Sequence, residues 1–215
     1  MPDSYQTGTR SRVLFQAVNT AFLFTTLLLF SPVRAQASSV LQVTFNELVH
    51  SSDFIFEGRV IDKRTELNSQ GAIHTYVTFQ ILDVLKGLYP TRTIVLRYLG
   101  GAVGDLHLEI SDLAPPVTGE KGIYFVESLN RPLVHPLYGW DQGRFLVTPN
   151  DGDRAERVLS SNGQPVLGFE SGPGKATGLS TGTAAGLLVA DSGRRSDAIT
   201  VLGFKTKIHE LLAGR

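Results

Sequence analysis

Short runs in which apolar residues alternate with polar ones recur along the chain after residue 53, and glycine-containing turns separate them. Successive side chains of a β-strand point to opposite faces, so this period of two predicts half-buried strands. Helical patterns between the runs, which parallel β-α-β units would require, are missing. We therefore predict a mostly β fold, in which short strands form a closed or nearly closed barrel or a sandwich. The predicted strands lie at 54–64, 74–85, 92–99, 106–110, 123–128 and 143–148, with a small hairpin at 154–159 and 165–169.

The alternation also predicts which side chains share the interior. On the first strand, Glu57 and Arg59 fall on the opposite, outward face. Gly58 in mid-strand indicates a bend, and a change of phase near Leu82 indicates a β-bulge. The side chains predicted to turn into one shared core are Phe54, Phe56, Val60, Val77, Phe79, Ile81, Ile94, Leu96 and Tyr98.

Helices are predicted at the two ends of this β region. Residues 43–51 have apolar residues at helical spacing, and Thr44 with Glu47 three residues later is typical of a capping box. The C-terminal helix carries an apolar stripe and ends at Gly214. The stripe consists of Phe204, Ile208, Leu211 and Leu212.

The first 37 residues have the layout of a cleavable secretory signal peptide. Arg10 and Arg12 give a positive start, and the uncharged stretch 13–30 follows. Small residues then predict cleavage after Ala35 or Ala37. The richest apolar part is about ten residues long, whereas a spanning helix needs ~20; an uncleaved N-terminal anchor is the alternative. We expect the protein to be secreted or periplasmic.

Composition divides the rest of the chain into a β-barrel domain at 38–169, a Gly/Ser-rich loop at 170–196 and a C-terminal helix at 197–215 that packs on the barrel. Within the loop, residues 187–189 are predicted to dock only transiently. The chain has no cysteine, which excludes disulfides, a thiolate nucleophile and Cys-ligated metals. The domain must therefore be stable through its core alone.

Charge and spacing argue against several functional classes. Without residues 1–37 the chain keeps 17 basic and 19 acidic residues and no basic block, which argues against nucleic-acid binding. No two of the five histidines lie within five residues of each other, so a helix-borne zinc pair is not predicted. Oxygen donors at Asn150, Asp151, Asp153 and Glu156 suit calcium, but the same string is typical of a tight turn, the interpretation we prefer. We predict no catalytic residue, no cofactor and no metal.

One aromatic segment precedes the sixth strand. Tyr138, Trp140 and Gln142 are predicted to form a patch for a ligand or partner, because exposed aromatic side chains beside polar groups favour recognition. The other interpretation, and the one that we prefer, is that the aromatic rings plug one end of the barrel.

Several blocks of the sequence resemble a family of uncharacterised exported bacterial domains. They lie at 46–60, 77–87, 100–101, 119–126 and 142–145, and together they span about residues 41–148. Some members of that family sit beside, or are fused to, matrixin-like metalloproteases. The family has no established activity, so the resemblance implies an exported domain and assigns no site residue.

A looser similarity runs to netrin-like, OB-type barrels such as tissue metalloprotease inhibitors. Those proteins also place a cluster like residues 52–55 before the first strand and a Lys-Gly pair like 86–87 after the second. Their inhibition depends on an N-terminal cysteine at the zinc, and this chain has no cysteine. The similarity therefore implies the fold, a five- to six-stranded OB/netrin-like barrel with two flanking helices, and not the inhibitory mechanism.

Three functional hypotheses follow. The first is an exported, non-enzymatic binding or accessory module that acts on another exported protein or a cell-surface component. The second is a hydrolase, or an inhibitor- or chaperone-like protease-associated protein, with a site assembled from distant residues such as His74, Asp105 and His107. The third is a surface-attached protein that is retained by an uncleaved N-terminal helix, which is its only predicted membrane contact.

Overall fold

The computed structural model describes residues 40–110, 114–150, 155–172, 174–180, 182–191 and 193–214. The predicted signal peptide and its cleavage site lie outside the described residues. None of the helices in the described ranges is long and apolar enough to cross a membrane.

Ten strands and two α-helices make up the regular structure of these ranges. Two single turns of 3-10 helix, Trp140–Gly143 and Arg195–Asp197, complete it. The helices are α1 (Phe45–Ser51) and α2 (Val201–Leu212), and the strands are β1 (Phe54–Leu67), β2 (Ile73–Lys86), β3 (Thr93–Leu99), β4 (Gly101–Val103), β5 (Leu106–Leu108), β6 (Lys121–Val126), β7 (Arg144–Thr148), β8 (Arg157–Ser160), β9 (Val166–Phe169) and β10 (Leu187–Val189).

Six strands form one antiparallel sheet in the order β3-β2-β1-β6-β7-β8. Two small ribbons, β4-β5 and β9-β10, stand beside it. The mostly β prediction is therefore confirmed, together with its two helices. The predicted closure is not formed: among the described residues no ladder joins β3 to β8, so the sheet has two edges. The physical reason is that β4 and β5, which follow β3, pair only with each other.

The register of β1 against β2 contains three irregularities. Glu57 pairs with Asp83 and Gly58 with Ile81, so Leu82 is the extra residue of a β-bulge, as the sequence predicted. The other two shifts lie between Ile55 and Phe56 and between Val60 and Asp62. Each bulge moves the following side chains to the other face, which is why the alternation along β2 changes phase.

Gly58 has a packing reason as well. A Cβ atom at Gly58 would lie 2.6 Å from Cε2 of Phe56, and one at the opposite residue, Gly122, would lie 2.9 Å from the hydroxyl oxygen of Tyr124. The two glycines leave room for these rings, whose centroids are 5.4 Å apart.

The sheet has an apolar core on each face. The loop-side core is covered by Tyr89, Leu129 and Leu137 and contains every side chain that the sequence assigned to the interior. The helix-side core lies under α1 and α2. Strands β1 and β6 supply both, because Phe54, Phe56, Tyr124 and Val126 face the loop side whereas Ile55, Ile123 and Phe125 face the helix side. The predicted single interior is therefore only half of the core.

Helix α1 begins as predicted. The Thr44 hydroxyl accepts a hydrogen bond from the amide of Glu47, and the Glu47 carboxylate accepts one from the amide of Thr44. At the other end, Lys86 Nζ donates to the carbonyls of Val49 and His50, at 2.9 and 2.7 Å. A cation at this end offsets the partial negative charge of the last carbonyls.

Glu57 is the clearest departure from the predicted faces. It does point away from the loop-side core, but it is buried rather than solvated. Lys121 Nζ lies 2.8 Å from one carboxylate oxygen, and Lys205 Nζ from α2 bonds the other. The two lysines also pair with Glu156 at 2.6 Å and with Asp83 at 2.7 Å. Burial alone would raise the pKa of Glu57, but the hydrogen bonds and charges of the two lysines outweigh it and lower that pKa.

The segment 170–196 contains more structure than a loop. Strand β10 pairs with β9, Leu41 forms a bridge with Leu179, and Ala184 and Leu187 are buried in the helix-side core. The docking of 187–189 is thus a strand pairing. Of the predicted hairpin of 154–159 with 165–169, the described residues form one bridge, between Leu159 and Pro165, and β9 pairs along its length with β10.

Candidate functional site

The three residues of the predicted patch lie in one tight loop after β6, but they are used differently. Tyr138 is half-buried against the helix-side core. Trp140 is partly exposed and begins the 3-10 turn with φ +61°, the only non-glycine residue with positive φ in the described ranges. A bulky residue in the left-handed region is strained, and such strain concentrates at functional sites.

Gln142, the third member, is buried and holds the N-terminal segment in place. Its Oε1 accepts a hydrogen bond from the amide of Val43 at 2.9 Å. Its Nε2 donates to the carbonyls of Leu41 and Gly139, both at 3.0 Å. Because these bonds occupy both ends of the amide, Gln142 positions the loop and does not face a ligand.

Behind Trp140 a row of rings runs into the loop-side core. Trp140 stacks on His135 with the ring centroids 5.6 Å apart, and His135 meets Tyr98 edge-on at 5.1 Å. Burial lowers the pKa of His135 to about 4; the hydrogen bond with the Leu137 backbone opposes this shift, and the positive charge of Arg144 makes a smaller contribution in the same direction as burial. The imidazole is therefore neutral at pH 7, and its Nδ1 accepts a hydrogen bond from the amide of Leu137 at 3.2 Å.

The Tyr98 hydroxyl ends this row inside the core. It is fully buried and has no hydrogen-bond partner among the described residues. Burial raises the pKa of Tyr98. The positive charge of Arg144 opposes this shift, and the negative charges of Glu120 and Asp141 add to it, so the phenol stays protonated. A buried hydroxyl without a partner is uncommon, so this one is a polar group that the fold leaves available for a further hydrogen bond.

Next to Tyr98 lies a nearly buried ion pair. Arg144 donates to Glu120 with Nε at 3.0 Å and with Nη2, and with Nη1 to the carbonyl of Ala114 at 2.8 Å. The Tyr124 hydroxyl donates to the same carboxylate at 3.0 Å. Burial opposes the charge of Arg144, but the bidentate bond to Glu120 outweighs it and raises the pKa of Arg144.

A cleft of about 750 Å³ opens beside this ion pair. We call it the hairpin cleft, because the end of β3 and the β4-β5 hairpin form one wall. Asp141, the residue after Trp140, is part of the lining, so the cleft adjoins the predicted patch. Its volume is that of an ordinary small-ligand site. The side chains that give it chemical character are His107, Glu109, Asp141, Arg144 and Asn162.

The other sequence hypotheses gain no support from the geometry. His107 and Asp105 are exposed, His74 is half-buried on β2, and no hydrogen bond joins the three in the part of the chain that the structure describes. No group of three acidic, histidine or cysteine side chains that could hold a metal occurs in those same ranges. Of the four oxygen donors considered for calcium, Asp151 and Asp153 lie outside the described residues, as does most of the turn predicted there, and Glu156 pairs with Lys121.

Sequence reasoning did not select Tyr98, Glu120, His135 or Arg144 as site residues. The available signal was a charged or polar residue within an otherwise apolar strand or turn, which is the pattern around His135 and Arg144. Comparison with protein-family models, with curated proteins and with solved structures found no match.

Proposed function

We propose that this chain is an exported, non-enzymatic binding or accessory module that contacts another exported protein or a cell-surface component at the hairpin cleft. The observation that carries the proposal is the strained Trp140, which stacks on neutral His135 next to a cleft lined by Arg144 and Asp141. A partly exposed tryptophan beside polar groups is typical of recognition surfaces.

The chemistry of the lining favours binding over catalysis. Arg144 already has the Glu120 carboxylate as its bidentate partner, so it supplies a fixed and neutralised polar surface. Neither His107 nor His135 forms a hydrogen bond to a nucleophile in the described ranges. These features support recognition of a partner's polar groups, with Trp140 as the aromatic contact.

Site-specific photocrosslinking tests this function. Benzoylphenylalanine replaces His107, which lines the cleft and is exposed, and in a control protein it replaces Leu202, which is exposed on α2. We expect a defined crosslinked partner in the exported fraction from position 107 only, with a lower yield when Trp140→Ala is added. Equal crosslinking from both positions, or none from position 107, would contradict the proposal.

Export is a separate part of the proposal, and it rests on the layout of residues 1–37. N-terminal sequencing of the exported protein is expected to give a start at Gln36 or Ser38. A start at Met1 in a membrane fraction would instead support the surface-attached alternative.

The finer fold assignment is also part of the proposal. We propose that the six-stranded sheet and its two helices are related to netrin-like, OB-type domains, with the sheet left open. The β3-β2-β1 meander and its bulges support this relationship. An experimental structure of the exported domain that superposes on such domains strand by strand would establish it, and a different strand order would refute it.

A further inference from the structure

A second cleft, of about 650 Å³, lies among residues of the glycine-rich segment and the β8-β9 turn. We call it the glycine-segment cleft. Its wall is built by close backbone contact, because a Cβ atom at Gly174 would lie 2.8 Å from the Cα atom of Gly186. Asn162 lines this cleft and the hairpin cleft alike, so the two open on either side of one turn.

Thr183, one of the residues that line this cleft, has a buried hydroxyl. Its backbone carbonyl accepts a hydrogen bond from Gln42 Nε2 at 3.2 Å, but its Oγ1 has no partner among the described residues. The residue is only 8% exposed and belongs to the cleft lining. Buried hydroxyls are nearly always hydrogen-bonded, so this one fits a group that a ligand brings.

The remaining lining provides both donors and acceptors. The Gln164 side-chain amide forms no hydrogen bond within the described ranges, and it lies in the same cleft as the hydroxyl of Thr177. Gln42 also lines the cleft, but its amide is already used, because Nε2 donates to the Thr183 carbonyl at 3.2 Å and Oε1 accepts from the Thr177 amide at 3.5 Å. Ala184, Ala185 and Gly186 add small residues to the lining. Charge is mixed and lies on exposed residues, namely Glu170, Lys175 and Asp191.

This lining selects among ligand classes. Amides and hydroxyls can both donate and accept, which matches the closely spaced hydroxyl groups of a sugar. A mixed set of exposed charges does not select an anion or a cation. The lining residues include no aromatic ring, and Leu187 and Val189 are the only larger apolar ones in it, which does not suit the side-chain anchors of a peptide. We propose that the glycine-segment cleft binds a neutral oligosaccharide, with the Thr183 hydroxyl and the Gln164 amide as direct contacts.

Saturation-transfer NMR on the mature chain tests this proposal with chitotetraose, cellotetraose and maltotetraose as probes and a neutral tetrapeptide as the control ligand. Thr183→Val removes the hydroxyl and keeps the shape. The matched control is Thr148→Val, because the Thr148 hydroxyl is also buried and has no partner among the described residues, but lies outside the cleft lining. We expect transfer to at least one sugar, with Kd raised at least tenfold by Thr183→Val and less than twofold by Thr148→Val.

Two further variants make the outcome of the binding experiment unambiguous. Gln164→Ala, at a partly exposed position, replaces Thr183→Val if the latter does not fold, and it is also expected to weaken binding. Trp140→Ala changes the hairpin cleft region and is expected to leave the sugar affinity unchanged, so the two sites can fail separately. The proposal is overturned if no sugar shows transfer, if only the peptide does, if Thr148→Val weakens binding as much as Thr183→Val, or if Trp140→Ala abolishes it.

Discussion

The two faces of the six-stranded sheet are covered in different ways. The helix-side core is closed by α1 and α2, and Phe45 contacts Phe125, Phe145 and Phe204 with ring centroids 5.3 to 6.2 Å apart. The loop-side core is closed by irregular segments, and it contains polar rings at His135 and Tyr98.

The buried polar groups Glu57, on the helix side, and Tyr98 and His135, on the loop side, differ in their hydrogen-bond partners. Glu57 on the helix side is matched by two lysines, and each lysine has a second carboxylate. On the loop side the Tyr98 hydroxyl has no partner within the described ranges, and His135 is held neutral. Since buried groups without partners cost stability, we infer that the loop side loses some stability at Tyr98, next to the hairpin cleft, whereas the Glu57 carboxylate on the helix side is fully paired.

The largest expected effect tests whether both cores are essential. Phe79→Ala on the loop side and Phe204→Ala on the helix side each truncate a fully buried ring, and each should lower the free energy of unfolding by about 3–5 kcal/mol in urea denaturation. Leu202→Ala, at an exposed position of α2, is the control and should change it by less than about 0.5 kcal/mol. A loss below about 1 kcal/mol for Phe204→Ala would show that α2 is not part of the folded core.

Removing the charge of Glu57 tests the ion pairs of the helix side. Glu57→Ala leaves Lys121 and Lys205 with one partner each, so we expect a loss of about 3 kcal/mol, at the low end for a broken buried pair. The control is Glu66→Gln, which removes the exposed pair with Arg64 and should cost far less than Glu57→Ala, because solvent screens exposed ion pairs.

The same carboxylate has a pH signature. Its folded-state pKa lies below the ordinary value of 4.5, so its contribution is complete above pH 4.5 and is lost as the pH falls through the folded pKa. Wild type should therefore lose more stability in strong acid than Glu57→Gln does. Equal acid sensitivity of the two proteins would contradict the ion-pair assignment.

His135 gives the loop side a different pH window. The unfolded histidine, with a pKa of 6.5, binds a proton before the folded one, whose pKa is about 4. Stability should then fall as the pH drops from 6.5 to 4, by about 2 kcal/mol at pH 5. His135→Phe keeps an aromatic ring beside Trp140 and should flatten this slope in urea denaturation series at pH 5–7.5. An unchanged slope would show that the folded imidazole titrates normally.

The smallest expected effect compares two phenols of the loop side. Tyr98→Phe removes a hydroxyl that has no partner in the described part of the chain, and it should stabilise the domain by up to about 1 kcal/mol. Tyr124→Phe removes a hydrogen bond to Glu120 and should destabilise it by about 1 kcal/mol. Thermal or urea unfolding measures both, and a loss of stability in Tyr98→Phe would mean that its hydroxyl has a partner after all.

The sequence predicted the local features well, because local spacing encodes them. The capping box of α1, the bulge at Leu82 and the alternation of Ile94 and Leu96 on β3 all depend on residues a few positions apart. The site was less predictable. Trp140 was selected as an aromatic contact, whereas Gln142 is a buried anchor for Leu41 and Val43, a hundred residues earlier in the chain.

By itself, the amino-acid sequence determined the longer strands and the two helices, because a period of two or of 3.6 is a property of neighbouring residues. The short strands β4 and β10 lie outside the strands that it predicted. Only the tertiary structure decided what covers each face of the sheet. Lys205 reaches Glu57, and Arg144 reaches Glu120, through strand pairing and helix packing over long sequence separations. The alternation of apolar and polar residues indicates that a strand has two faces. In a strand such as β1, which is buried on both faces, the element that covers the second face comes from a distant part of the chain.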